Sequence, residues 1–174
     1  MTTSKSTPAG SKESAPTQAD ASGPSARKPR GPKADWDTYF LNLARQAATR
    51  SSCTQNKEGA VIVANRHIRS TGYNGTPGGY PNCEQGGCPR GKTGDPSKRC
   101  WGLHAEANAI LYAGAEDREG ATLYLTKPPC ADCAKLIANS GLREVVAPQS
   151  AADGIDQVKK FLLDCKVRVR LLKS

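Results

Sequence analysis

Four residues in the second half of the chain have the types and the spacing needed for metal-assisted hydrolysis. His104 and Glu106 form a His-Ala-Glu triplet, and Cys130 and Cys133 follow in a Pro-Cys-Ala-Asp-Cys segment. One imidazole and two thiolates leave the fourth position of a tetrahedral metal ion open for water. Glu106 cannot point in the same direction as a ligand two residues before it, so its carboxylate is free to move protons at that water. The spacing therefore predicts a catalytic metal site, with His104, Cys130 and Cys133 as ligands and Glu106 as general acid and base.

The elements predicted around these residues place them at the starts of helices. We predict a helix over 104–113, a strand over 121–126 and a helix over 130–140. The positive end of a helix dipole favours thiolate over thiol, and a proline such as Pro129 costs little at or before the first helical turn. Two successive strand-to-helix junctions can then face each other across one cavity.

The motif itself is a known one. His-x-Glu paired with Pro-Cys-x-x-Cys is an established signature of zinc deaminases, so the assignment is a match to that signature. A redox Cys-x-x-Cys pair needs no His-x-Glu triplet and belongs to a different strand pattern. A structural zinc site is normally closed by four protein ligands, whereas this motif supplies three. The sequence therefore favours a catalytic zinc ion.

The rest of the pattern predicts the scaffold that positions the motif. Its order is α-β-β-α-β-α-β-α-β, which indicates an α/β fold with helices on both faces of a sheet. The remaining predicted elements are a helix from Trp36 capped by Asp35, strands 59–64 and 67–73 joined through Asn65-Arg66, a long loop 74–103, a strand 143–147, a helix with an apolar stripe from Ile155 to Cys165, and a strand 166–171.

Length and composition limit the possible classes of protein. The 174 residues suit one domain, and no apolar run is long enough to cross a membrane. No apolar stretch typical of a secretory signal follows Met1. Seven cysteines without such a signal favour metal ligation over a disulfide framework, and we expect a cytoplasmic location. The net charge of +9 suits an anionic partner such as a phosphate.

The first 34 residues differ in composition from the rest. They are mostly Ser, Thr, Ala, Gly, Pro and Lys, and Met1 is their only large apolar residue. Such a segment cannot bury enough apolar surface to offset its ordering entropy. We therefore predict a disordered basic tail over 1–34 and a zinc-dependent deaminase domain over 35–174.

The chain resembles the cytidine deaminase superfamily, and within it the deoxycytidylate (dCMP) deaminases. The resemblance covers about residues 36–147. Many deaminases share the zinc motif, and the Gly72-Tyr73-Asn74-Gly75 segment narrows the resemblance to this family. The matching segments are Cys53 to Val63, Ser70 to Gly79, Asn82-Cys83, His104 to Leu111 and Ala121 to Lys135.

The resemblance implies a three-layer α/β/α fold with a mixed five-stranded sheet. It also implies hydrolytic conversion of dCMP to dUMP and ammonia, which feeds thymidylate synthesis. Many family members are hexamers that dCTP activates and dTTP inhibits, so we expect a homo-oligomer, hexameric or built from dimers, with these effectors. Gly72, Tyr73, Asn74 and Gly75 would lie near the nucleotide or effector, with the Asn74 amide on the substrate sugar. An Asn-Gly pair is also an ordinary turn signal, and that alternative stays open.

Four further cysteines are candidates for a second, structural zinc ion. Cys53 and Cys83 match ligands of such an ion in some dCMP deaminases, and Cys88 and Cys100 would complete a four-cysteine site. That site would clip the long loop 74–103 to the first helix–strand junction and offset the entropy of the loop. The alternative is a set of scattered buried or free thiols.

Two features of the sequence depart from the family pattern, and two functions other than dCMP deamination are compatible with parts of it. Glu58 stands where we expect an apolar residue before Gly-Ala-Val, and the tail 1–34 has no counterpart in the family pattern. A deaminase of tRNA adenosine or of a free nucleoside or base would share the zinc motif, but the Cys-rich loop and the Ser70 to Gly75 segment fit mononucleotide enzymes better. We therefore expect no nucleic acid partner. A zinc-stapled binding module without activity would have no use for Glu106 beside an open metal.

Overall fold

A mixed five-stranded sheet forms the centre of the protein in its computed structural model, which describes residues 33–149 and 154–173. The strands are β1 (Gly59–Ala64), β2 (His67–Tyr73), β3 (Thr122–Leu125), β4 (Glu144–Pro148) and β5 (Arg168–Leu172), in the order β2-β1-β3-β4-β5. The first three strands are antiparallel and the last three parallel. The predicted tail lies outside the described residues up to Pro32.

Six helices within residues 33–149 and 154–173 accompany the sheet. They are α1 (Trp36–Ala48), α2 (Pro89–Thr93), α3 (Ala105–Leu111), α4 (Ala115–Arg118), α5 (Ala131–Ala138) and α6 (Ile155–Asp164). One face of the sheet packs against α1, and the other packs against α3, α5 and α6. The predicted α/β fold with helices on both faces is confirmed.

Alternation along the strands divides the core into two layers. Val61 and Tyr124 face α1, where they pack with Phe40 and Ala44. Their neighbours in the strands point the opposite way, because successive side chains of a strand alternate between faces. The buried residues on that opposite face include Ala60, Ile62, Leu123, Leu125, Val145 and Ala147 from the strands, Ala105 and Ala109 from α3, Ala134 and Ile137 from α5, and Leu162 from α6.

The predicted turn between β1 and β2 is present at Asn65 and Arg66. Both residues have positive φ angles, 52° and 63°. A two-residue hairpin turn of the I′ type requires this conformation at both positions, and its twist matches that of the strands.

Two glycines allow helices to approach the sheet closely. A Cβ atom on Gly59 would lie 2.6 Å from the backbone nitrogen of Ala48 in α1, and one on Gly72 would lie 2.5 Å from that of Ala109 in α3. Both distances are shorter than any real Cβ contact. The backbone of α3, which follows directly after His104, therefore rests on the glycine of β2.

The long loop is more structured than predicted, since α2 lies within 74–103. Pro89 occupies the first turn of α2, where its missing N–H costs little. The sulfur atom of Cys88 accepts a hydrogen bond from the backbone N–H of Gly91 at 3.4 Å. The predicted helix over 104–113 ends earlier, at Leu111, and α4 follows after Gly114. The helix predicted over 130–140 ends at Ala138.

A polar cluster ties the amino-terminal helix to the last strand. Arg170 donates two hydrogen bonds to the carboxylate of Asp37, at 2.6 and 2.9 Å, and a third to Glu144 at 3.1 Å. The Tyr124 hydroxyl donates to Asp37 at 3.0 Å. The Arg170 hydrogen bonds lower the pKa of Asp37 below its ordinary value of 3.8. The cluster therefore joins α1, β3, β4 and β5 across one face of the sheet.

Among the described residues, no helix combines the length and apolar character needed to span a lipid bilayer.

Candidate active site

The three predicted ligands meet at the amino-terminal ends of two helices. His104 is the N-cap residue of α3 and Cys130 the N-cap residue of α5, with Cys133 one turn into α5. The Nδ1 atom of His104 lies 3.5 Å from the sulfur of Cys130 and 3.4 Å from that of Cys133. Among the described residues, this is the only group of three or more His, Cys, Asp or Glu whose ligand atoms all lie within 4.8 Å of one another.

The distances fit a tetrahedral zinc ion. Zn–S bonds of about 2.3 Å and Zn–N bonds of about 2.0 Å at a tetrahedral angle place the sulfur and nitrogen atoms about 3.5 Å apart. Burial raises the pKa of the Cys133 thiol, and nearby acidic groups raise it further. A cation is the group that stabilises such a buried thiolate, because its charge offsets the loss of hydration.

Glu106 lies in the first turn of α3, next to the ligand set. It is 3% exposed, and its Oε2 atom is the buried side-chain oxygen or nitrogen without a hydrogen-bond partner among the described residues. Burial raises the pKa of the Glu106 carboxyl above its usual range. A buried polar atom without a partner is costly, and such atoms are typical of sites that bind a ligand. The free oxygen is therefore available to a water molecule or a substrate.

The larger of the two cavities that His104 lines opens directly onto this site. It has a volume of about 550 Å³ and lies between α5, α6 and the segment that connects β3 to α5. Its polar and charged lining residues are His104, Glu106, Lys127, Cys130, Lys135 and Gln157. The apolar lining includes Pro128, Pro129, Ala131, Ala134, Ile155, Val158 and Phe161. The cavity therefore offers a partly apolar space beside the candidate metal site.

Glu58 and Lys127 form an ion pair beside the same site. The Lys127 ammonium contacts the carboxylate of Glu58, which is 8% exposed. Lys127 borders both cavities, and Glu58 borders the smaller one. Burial acts to lower the pKa of Lys127, but the Glu58 carboxylate outweighs it, so the pKa is raised. The ion pair with Lys127 accommodates the departure from the family pattern at Glu58, because it gives the buried carboxylate a cationic partner.

The four other cysteines of the predicted second site surround the smaller cavity, which has a volume of about 240 Å³. The sulfur atoms of Cys88 and Cys100 are 3.7 Å apart, whereas no three sulfurs of this set all lie within 4.8 Å of one another. Cys53 is held nearby, because the next residue, Thr54, donates from its hydroxyl to the carbonyl of Gly91 in α2 at 2.6 Å. None of the four is in a disulfide.

Within the segment Gly72 to Gly75, some residues line the smaller cavity and others do not. Asn74 lines the smaller cavity, but its amide already bridges two backbone groups: it accepts from Glu58 N at 2.9 Å and donates to Asn56 O at 2.7 Å. Gly75 lines the same cavity. Tyr73 is exposed at the end of β2, and Gly72 lies under α3. Their predicted contacts with a nucleotide or effector stay predictions.

Comparison with known proteins identifies the family. The model of the cytidine and deoxycytidylate deaminase zinc-binding region matches residues 34–149, which is two thirds of the chain and includes all four motif residues. The chain belongs to this family. The predicted resemblance and the predicted zinc cofactor are both confirmed.

Individual relatives agree with this assignment. A deoxycytidylate deaminase of Mycobacterium phage D29 is 48% identical over 126 residues, which cover 67% of this chain and 97% of the phage protein. The deoxycytidylate deaminase of Saccharomyces cerevisiae is 49% identical over 119 residues, covering 66% of this chain but only 38% of the yeast protein. A dCMP deaminase of cyanophage S-TIM5, solved in complex with dCMP and dUMP, superposes with a TM-score of 0.62 at 28% identity, over 82% of this chain and 100% of that one.

The sequence motifs did not single out Lys127 or the α6 wall of the larger cavity. Lys127 stands directly before the Pro-Pro-Cys segment, and its relation to Glu58 depends on the pairing of β1 with β3. An acidic residue at the start of an apolar strand was the available signal, because a buried charge requires a partner.

Proposed function

We propose that this chain catalyses the hydrolytic deamination of dCMP to dUMP and ammonia. The observation that carries the proposal is the buried, unpartnered Oε2 of Glu106 next to three ligand atoms spaced for one zinc ion. Such a carboxylate has a function only when a reacting molecule occupies the space beside it. The deoxycytidylate deaminases of phage and yeast and the dCMP complex of the cyanophage enzyme support the choice of substrate.

His104, Cys130 and Cys133 would hold the zinc ion, and α3 and α5 fix their positions. When bound, zinc supplies a nucleophile at neutral pH by lowering the pKa of water to about 7. The ligands use three coordination positions, which leaves room for that water.

Glu106 moves the protons of the reaction. It accepts a proton from the attacking water and delivers it to N3 of the cytosine ring while the water oxygen bonds to C4. It then carries the second proton of that oxygen to the exocyclic amino group, so that the C4–N4 bond breaks and ammonia leaves. Burial raises the pKa of this carboxyl above its usual range, which favours retention of the accepted proton until it is delivered.

A panel of substrates tests the proposal. Ammonia release is measured with dCMP, deoxycytidine, cytosine and an adenosine-containing tRNA stem-loop at equal enzyme concentration. We expect kcat/KM for dCMP to exceed that for each other substrate by at least about 100-fold, since an enzyme that pairs buried polar groups with a substrate discriminates strongly. Turnover of another substrate without turnover of dCMP would refute the proposal.

The second zinc ion forms a separate part of the proposal, with Cys53, Cys83, Cys88 and Cys100 as its ligands. The distance of 3.7 Å between the sulfurs of Cys88 and Cys100 supports it, because a tetrahedral ZnS₄ centre separates sulfurs by about 3.8 Å. Burial raises the pKa of the Cys88 thiol, but backbone N–H groups of Trp101 and Gly91 and the neighbouring thiols lower it overall to about 7. Burial raises the pKa of Cys83 to about 11. A zinc ion would deprotonate the whole set and fix the long loop to the segment before β1.

Zinc analysis of two serine variants tests this second site. We expect two zinc ions per wild-type chain, one per Cys88→Ser chain, and a loss of thermal stability in that variant. Cys165→Ser is the matched control, because Cys165 is exposed at the end of α6 and outside both clusters. One zinc per wild-type chain, or two in Cys88→Ser, would contradict the assignment.

Regulation by dCTP and dTTP, assembly into a hexamer or a dimer-based oligomer, and a cytoplasmic location complete the proposal. The family resemblance supports the first two. Initial rates at low dCMP with and without dCTP or dTTP test effector control, and light scattering tests the assembly. An absence of any effect of both nucleotides would remove regulation from the proposal without affecting the catalytic assignment.

A further inference from the structure

The Glu58–Lys127 ion pair lies where the two cavities meet, and the motif chemistry does not use it. Lys127 lines the larger cavity together with His104, Glu106 and Cys130, and it lines the smaller cavity together with Asn74. A lysine on this wall is a neighbour of the reaction centre. This location of Lys127 indicates a function in addition to pairing with Glu58.

The pair holds the lysine in place and still leaves it able to donate. A lysine ammonium has three N–H donors, and one carboxylate oxygen of Glu58 contacts it. The side chain of Lys127 is 53% exposed, whereas that of Glu58 is only 11% exposed. Glu58 itself is fixed by two hydrogen bonds with Asn74: Glu58 N donates to Asn74 Oδ1, and Asn74 N donates to Glu58 O. The lysine therefore has a firmly held anchor and donors that Glu58 does not use, and it lines cavities that a ligand can fill.

The chemistry of the substrate suggests the acceptor. This step rests on the proposed function, which places C4 of the cytosine at Glu106. Because Lys127 lines the cavity together with Glu106, we place the ring, rather than the phosphate, beside this lysine. With Glu106 serving N3 and the amino group, the remaining polar atom of the ring is its 2-carbonyl oxygen. Burying that oxygen without a donor is unfavourable, and a hydrogen bond from a cation is stronger than one from a neutral donor.

We propose that Lys127, anchored by Glu58, donates a hydrogen bond to the 2-carbonyl oxygen of the pyrimidine and so determines specificity for the ring. Glu58 is then a positioning residue that acts through Lys127. The pair would recognise substrate dCMP and product dUMP alike, because both carry this oxygen.

A sulfur-for-oxygen substrate gives the direct test, since sulfur is a weak acceptor. The kcat/KM ratio of dCMP to 2-thio-dCMP is measured for the wild type and for the double variant Glu58→Val/Lys127→Leu. Replacing both charges together avoids leaving one of them buried and unpaired. We expect the ratio to fall at least tenfold in the double variant and to stay within threefold of the wild type in Lys127→Arg. Because a ratio of two substrates does not depend on the fraction of active enzyme, partial misfolding does not affect it.

Binding provides a readout that does not require turnover. Calorimetry with dUMP and 2-thio-dUMP on the zinc-loaded wild type and on Lys127→Met should show a preference for oxygen that the variant loses, also where the double variant fails to fold. Equal ratios in the wild type and the variants, by turnover and by binding, would overturn the inference. Failure of the wild type to deaminate dCMP at all would instead refute the proposed function.

Discussion

Replacing Gly72 by alanine should impair the active site by displacing α3, without altering a metal ligand or a reacting group. Gly72 lies in β2, and the backbone of α3 crosses it so closely that an added Cβ would lie 2.5 Å from the nitrogen of Ala109. The carbonyl of Ala105, which stands between His104 and Glu106, is even nearer. Neither neighbour is a flexible side chain, so the helix itself must move.

The size of the effect follows from this distance. Restoring an ordinary contact of roughly 3.5 Å requires α3 to shift by about 1 Å at the Ala109 nitrogen and by slightly more at the Ala105 carbonyl oxygen. Overpacking of this kind typically costs about 1–3 kcal/mol of unfolding free energy. A misplacement of about 1 Å in a catalytic group can cost about 100-fold in rate. We therefore expect Gly72→Ala to lower both the melting temperature and the kcat of the zinc-loaded enzyme, the latter by about 100-fold.

A matched control separates the two effects. Gly59→Ala introduces a similar clash on the opposite face of the sheet, against Ala44 and Ala48 of α1. It should reduce stability by a similar amount but leave kcat per zinc-loaded molecule within about threefold, because α1 carries no motif residue. Thermal unfolding, zinc content and steady-state kinetics are measured on both variants. A Gly72→Ala protein with wild-type melting temperature and kcat would refute the argument that this glycine positions α3.

Two other substitutions test the scaffold. Asp37→Asn should lower the unfolding free energy at pH 7 by about 2 kcal/mol, because it removes charge-assisted hydrogen bonds from Arg170. Since the folded-state pKa of Asp37 is lowered, this stabilisation is fully present above pH 3.8 and is lost as the pH falls through the lowered folded value. Urea titrations at pH 7 and pH 3 should therefore show that the unfolding free energies of wild type and variant converge in acid. A difference that stays constant between the two pH values would contradict the assignment. Asn74→Ala should lower the unfolding free energy by about 2–3 kcal/mol, because the backbone N–H of Glu58 and the carbonyl of Asn56 lose their partner. A decrease of less than about 0.5 kcal/mol in chemical denaturation would show that these hydrogen bonds contribute little to stability.

The sequence predicted the metal site well because its information is local. His104 and Cys130 cap their helices, and Cys133 follows one turn later, so the local pattern of each segment determines where the ligand lies along its helix. The alternation of apolar residues in β1 and the left-handed turn at Asn65 are also local features. These elements appear at or within a few residues of their predicted bounds.

What the sequence did not reveal depends on contacts between distant segments. The partner of Glu58 becomes visible only when β1 and β3 pair in register, which brings the residues that flank both strands together. The packing function of Gly72 depends in the same way on where α3 crosses β2. The short helix α2 was missed because five residues give little periodicity, and its cap is the unusual residue Cys88. In each case the residues are visible in the sequence, but their function depends on contacts that form only when the chain is folded.

The rate of dUMP formation from dCMP by Glu106→Gln, measured together with zinc content, tests the central claim most directly. Glutamine preserves the shape of the side chain but cannot carry protons, and His104, Cys130 and Cys133 are unchanged. The variant should bind as much zinc as the wild type and lose at least about 1,000-fold in kcat, within the range expected for a general acid and base that acts twice. A Glu106→Gln enzyme that retains its zinc and works within tenfold of the wild-type rate would contradict the account.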